Sequence, residues 1–104
     1  MRRAAGLLLL AILLAGCGQS NDQRSMNHKF QELDYEIATL ETVTSSFNAQ
    51  NFARLTRRYI ALTREYADQL GTAEVKRRLV DKADELDSYC LPCTGALYDE
   101  AGKY

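Results

Sequence analysis

The sequence predicts an all-α domain: a small antiparallel three-helix bundle with a short C-terminal helical turn, preceded by a flexible tether. Three observations predict it. Apolar residues recur three and four positions apart along most of the chain after Met26. No β-type alternation runs long enough to compete. Helix-ending residues, Gly71 and Pro92, punctuate the pattern at intervals suited to helices of ordinary length.

In the first helix, Met26, Phe30, Leu33, Ile37, Leu40, Thr44 and Phe47 follow at alternating spacings of four and three. That is a heptad stripe, polar only at Thr44, and it defines one apolar face. The hydroxylated and β-branched run from Thr42 to Ser46 favours helix poorly, so the helix is expected to fray there. Asn48 is then placed to N-cap a second helix.

The second helix puts Phe52, Leu55, Tyr59, Leu62, Tyr66 and Leu70 on one face. Gly71 follows as an expected left-handed C-cap, and Thr72 as the cap of the third helix. So short a link forces these two helices antiparallel. The third helix carries Val75, Leu79, Ala83, Leu86 and Cys90, and Pro92 is expected to stop it. Thr94 can open a last turn through Ala96, Leu97 and Tyr98. Helices of about 20 residues would each run about 30 Å.

Charge agrees with this packing. From Lys29 to Glu41 there are one basic and four acidic residues, and from Phe52 to Leu70 four basic and two acidic. Opposite bias on neighbouring helices sets pairing more than stability, since exposed pairs contribute about 0–1 kcal/mol. A docking role for Arg54, Arg57 and Arg58, toward anionic lipid or a partner, is the functional alternative.

Upstream of the helices, Arg2 and Arg3 precede the uncharged run Ala4 to Ala15, which leads into Leu14-Ala15-Gly16-Cys17. An apolar run of this length is too short for a membrane-spanning helix, which takes roughly 20 residues. Small residues sit immediately before the expected cut. The stretch resembles a bacterial lipoprotein signal peptide with its lipobox. The resemblance implies diacylglycerol on the Cys17 sulfur, cleavage before Cys17, and acylation (palmitate or a similar chain) of the new amino group. Residues 1–16 are then the signal peptide, 17–25 the lipidated N-terminus and tether, and 26–104 the helical domain. Gly18 after the lipidated cysteine implies, by the same resemblance, an outer-membrane anchor facing the periplasm. The alternative is an uncleaved signal anchor with Cys17 as an ordinary thiol.

Without Arg2 and Arg3, the remaining chain carries 11 basic and 14 acidic residues. A mildly acidic surface disfavours nucleic acid, which needs clustered Lys and Arg.

Cys90-Leu91-Pro92-Cys93 is the constellation with reactive potential. In an oxidising compartment it reads first as a structural disulfide. A thiol–disulfide oxidoreductase places CxxC at the start of a helix, where the dipole favours thiolate. Cys90 is expected at the end of one, where the dipole opposes it. Haem attachment needs His where Thr94 stands. A metal site would need a Cys₄ set shared by a dimer, because His28, expected as a solvated helix residue, is remote in sequence.

Asp84, Glu85 and Asp87 are expected to face solvent, and neither a phosphate loop nor a catalytic triad is evident. No cofactor, metal or enzymatic activity is therefore expected. Tyr89, Leu91, Leu97 and Tyr98, with Tyr104, are expected to gather near the CxxC. They read either as a partner-binding surface or as a small satellite core around the disulfide.

These features lead to an envelope lipoprotein that binds or scaffolds another protein, accessory to a secretion or assembly system. A plasmid- or phage-encoded exclusion or immunity lipoprotein is one alternative, and a redox or metal-handling lipoprotein is another. Pilotin-type lipoproteins, which hold a secretin segment in a groove between helices, are similar in architecture alone. The murein-linked lipoprotein shares only the lipobox and heptads: its C-terminal lysine is replaced here by Lys103-Tyr104.

Overall fold

The computed structural model describes residues 23–43 and 48–104. Cys17 and the signal segment lie outside the described residues, as do Thr44 and Phe47. The described chain is helical: α1 over residues 23–41, α2 Asn48–Glu65, α3 Ala67–Leu70, α4 Thr72–Leu86 and α5 Leu91–Ala101. The all-α bundle is as the periodicity predicts, with two changes of plan. The second helix is interrupted at Tyr66, and the expected terminal turn is a full helix of 11 residues.

The helix α4 lies at the centre. Val75, Leu79, Ala83 and Leu86 are fully buried along its length, the Val and Leu side chains contributing about 1.5–3 kcal/mol each and Ala83 less. α1 supplies Met26, Phe30, Leu33 and Ile37 from the predicted stripe. Phe30 meets Tyr59 of α2 edge to face, with ring centroids 5.7 Å apart. The Arg78 guanidinium covers the Phe30 ring at 4.6 Å. In α2, Phe52, Leu55 and Tyr59 are buried as predicted, but Leu62, and beyond α2 Tyr66 and Leu70, are only partly covered. Thr56 and Thr63 are buried instead. The Thr63 hydroxyl donates back to the Ile60 carbonyl at 2.7 Å, which satisfies it without a partner helix.

Several helix ends differ from expectation. Asn48 is the first residue of α2, and its side-chain amide donates to the carbonyls of Leu40 and Val43, tying down the end of α1. Gly71 is the C-cap of α3 and takes positive φ (87°) as expected, but its ψ of 153° lies outside the left-handed helical well, in a region open to glycine. Its N–H donates to the Ala67 carbonyl at 2.9 Å, and its own carbonyl accepts from Val75 N–H at 3.0 Å. Gly71, not Thr72, is thus the N-cap of α4.

The largest correction is at the cysteines. α4 ends at Leu86, whose carbonyl accepts from both Tyr89 N–H (3.0 Å) and Cys90 N–H (2.8 Å). Cys90 then turns extended and becomes the N-cap of α5. Pro92 sits in the first turn of α5, where a missing N–H costs nothing, and so begins a helix rather than ending one. Cys93, Leu97 and Ala101 form the buried face of α5, and the Thr94 hydroxyl donates across to the Ala83 carbonyl at 3.0 Å.

Candidate functional site

Cys90 and Cys93 form a disulfide with Cα atoms 5.2 Å apart. Backbone N–H of Cys93 points at the Cys90 sulfur, 3.2 Å away. Both cysteines are nearly covered, at 6% and 3% exposure. The turn that carries them leaves Tyr89 (47%) and Leu91 (70%) in solvent. Tyr89 rests on the Phe52 ring, centroids 5.6 Å apart. Tyr98 is half exposed on the next turns of α5, and its hydroxyl donates to Asp84 of α4. Leu97 is fully buried, because it shares the inner face of α5 with Cys93 and Ala101, so it cannot join an exposed surface. Tyr104 lies beyond the opposite end of α5, partly buried against the core. The sequence-expected cluster therefore separates into an exposed pair beside the disulfide, a side chain braced on α4, and two core elements.

A second feature is an open groove between α1 and α2. A cavity of about 300 Å³ is lined by Tyr35, Leu40, Val43, Asn51, Arg54 and Leu55. It joins, through Tyr35 and Glu36, a wider depression of about 520 Å³ that reaches His28 and Arg58. Leu55 is buried and Leu40 half-buried, while Val43 and Tyr35 stand out, the Tyr35 ring 74% exposed. Two ion pairs join α1 to α2, Arg58 to Glu36 at 2.9 Å beside the groove and Lys29 to Glu65 at 3.0 Å, as the charge bias predicts. Arg54 and Arg57 make no ion pair among the described residues. His28 is exposed and pairs with Glu32 on its own helix.

Charged groups also enter the core, and they were not anticipated. Lys82 is buried between α1 and α4, its ammonium 2.8 Å from Asp34, 3.0 Å from Glu85 and 5.2 Å above the Tyr59 ring. Burial lifts the Tyr59 hydroxyl to about 12. Glu41, at the end of α1, has a buried carboxylate oxygen without a partner. Burial, with the Glu85 carboxylate beside it, pushes Glu41 up to about 7, against the pull of Lys82. Glu100, buried on α5, receives two 2.7 Å bonds from Arg64 and one contact at 3.0 Å from Lys103. Those cations hold it at about 2, against the opposing effect of burial. The signal for all three is register. Lys82 lies seven residues after Val75, Glu100 three after Leu97, and Glu41 four after Ile37, each on the apolar face of its helix. Of the carboxylates expected in solvent, Asp84, Glu85 and Asp87 are exposed, two of them engaged by Tyr98 and Lys82.

Comparison with known families, curated proteins and solved structures finds no match. Among the described residues, no group of three or more His, Cys, Asp and Glu is arranged to hold a metal, and no helix is long and apolar enough to cross a membrane.

Proposed function

We propose that this chain is an envelope lipoprotein, anchored at the outer membrane through lipid on Cys17, whose α1–α2 groove grips a segment of another envelope protein without catalysing a reaction on it. The lipobox supports the anchor, and the α1–α2 groove carries the binding role. Its floor is apolar (Leu40, Leu55), its rim offers Tyr35 and Val43, and Arg54 stands beside it with no ion-pair partner among the described residues. The chemistry suits a protein segment that brings one or two apolar side chains and a carboxylate. Such a grip would suit accessory work in a secretion or assembly system. Tyr89 and Leu91 provide a separate exposed apolar pair at the disulfide.

The test is photocrosslinking in cells, with the crosslinker at Tyr35 or Val43 and a control at Asp99 on α5. One envelope protein captured from both groove positions, not from the control, and lost with Arg54→Glu, supports the grip. Capture of lipid and peptidoglycan alone would sink it. Mass spectrometry of the purified chain tests the anchor separately. A chain intact from Met1, or one unmodified at Cys17, removes the lipoprotein assignment.

A further inference from the structure

Cys90 occupies a place that a purely structural cystine does not need. It is the N-cap of an 11-residue helix, and the Cys93 N–H is aimed at its sulfur from 3.2 Å. The N-terminal end of a helix favours negative charge, and a cysteine placed there has its thiol pKa lowered from about 8.5. We propose that the Cys90–Cys93 disulfide is exchange-competent and oxidises a dithiol segment of another protein that docks on Tyr89 and Leu91. This inference stands independently of the α1–α2 groove.

Two further observations support it. First, the geometry around the cysteines is held by groups other than the S–S bond. Pro92 presets the first turn of α5, Thr94 donates to Ala83, and Leu97 is fully buried. A closed loop with two residues between its cysteines stabilises less through the unfolded chain than a long loop would. The reduced pair can therefore keep its place, with Cys90 as a thiolate still accepting from Cys93 N–H. Second, the two residues flanking Cys90 are among the exposed large hydrophobic side chains of the described chain, Leu91 at 70% and Tyr89 at 47%. They give an incoming segment apolar contacts beside a sulfur that is otherwise nearly covered.

The exchange balances with the partner's two thiols as reductant. One partner thiolate attacks the Cys90 sulfur, forming a mixed disulfide. The Cys90–Cys93 bond breaks, and its electron pair leaves on Cys93, which takes up a proton. The partner's second thiolate then attacks its own sulfur in the mixed disulfide. The partner leaves oxidised as a disulfide, and Cys90 departs as a thiolate at the N-terminus of α5. Two electrons pass from partner to cystine. A stabilised leaving thiolate makes the pair a better oxidant.

The experiment uses the full chain in detergent. After reduction, helicity is followed by circular dichroism, and alkylation of each cysteine is quantified by mass spectrometry as a function of pH. The expected result is retained helicity, with Cys90 titrating at least one pH unit below about 8.5, so that its thiolate fraction at neutral pH is raised severalfold. The oxidised chain should oxidise a synthetic two-cysteine peptide with apolar flanking residues. Leu91→Ser should slow that reaction severalfold more than it slows reduction by glutathione, which needs no apolar docking. Loss of helicity on reduction, or a Cys90 midpoint at or above the ordinary value, would show a structural staple and overturn the proposal. Equal rates for Leu91→Ser and wild type with the peptide would overturn the docking role of the rim.

Discussion

Glu41 and Glu100 stand at core-facing positions near the C-terminal ends of their helices, yet their carboxyls sit on opposite sides of the ordinary value of 4.5. Glu100, in the seam between α2 and α5, meets two cations and is held at about 2. Glu41, in the seam between α1 and α4, is lifted to about 7 by its burial and by the Glu85 carboxylate beside it, with Lys82 opposing the rise only in part. Burial penalises both in the same direction, so the neighbours decide the sign. The two seams should therefore fail at opposite ends of the pH scale.

The linkage follows from which state binds the proton more tightly. Folded Glu41 holds its proton better than the unfolded chain does. Its contribution is full below about 4.5 and is lost as pH rises through about 7. Folded Glu100 releases its proton more readily. Its contribution is present above about 4.5 and is lost as pH falls toward about 2.

The scale against which both are read is apolar. Leu97→Ala, one turn before Glu100, should cost about 2–5 kcal/mol in urea unfolding. The loss should be the same at pH 5 and pH 8, because no titrating group is removed. Glu100→Gln should come next, costing about 1.5 kcal/mol at neutral pH. That is the lower end for hydrogen bonds to charged groups, since Arg64 is half in solvent. The same variant should flatten the acid limb between pH 4.5 and 2. A Glu100→Gln chain with an unchanged acid limb would place the acid sensitivity elsewhere. The smallest effect belongs to Glu41→Gln. It should leave stability at pH 4 unchanged and raise it above pH 7 by on the order of 1 kcal/mol or less, solvent screening being allowed for. If stability at pH 8 falls instead, the pairing of Glu41 with Glu85 is wrong.

How much of this was legible in the sequence depends on the type of residue. Apolar periodicity located α1, α2 and α4 and the buried apolar side chains on them, but not Thr56, Thr63 or Lys82, because burial of the apolar stripe is what makes each helix stable. It also covered the cross-helix ion pairs, whose sign bias survives in Arg58–Glu36 and Lys29–Glu65. The punctuation was harder. Pro92 is compatible with the end of one helix and the start of the next. The choice rested on whether Cys90 belongs to α4 or caps α5, a difference of four residues that reverses the dipole acting on its sulfur. The α1–α2 groove could not be read at all. It is formed by residues of α1, Val43 and α2 brought side by side, a tertiary juxtaposition that no local pattern encodes. Lys82, Glu41 and Glu100 were in register with the apolar faces, but a charge at such a position reads as a solvated edge until its counter-ions are located.

Gly71 closes one helix with its N–H and opens the next with its carbonyl, so the reversal between α3 and α4 contains no spare backbone. A looser connection could absorb a gained or lost codon by lengthening its arc. Here each added residue would rotate the whole of α4 by about 100° about its own axis. That rotation would carry the stripe from Val75 to Leu86 out of the interior. Length variation among descendants of this sequence should accordingly be tolerated elsewhere and purged at this corner.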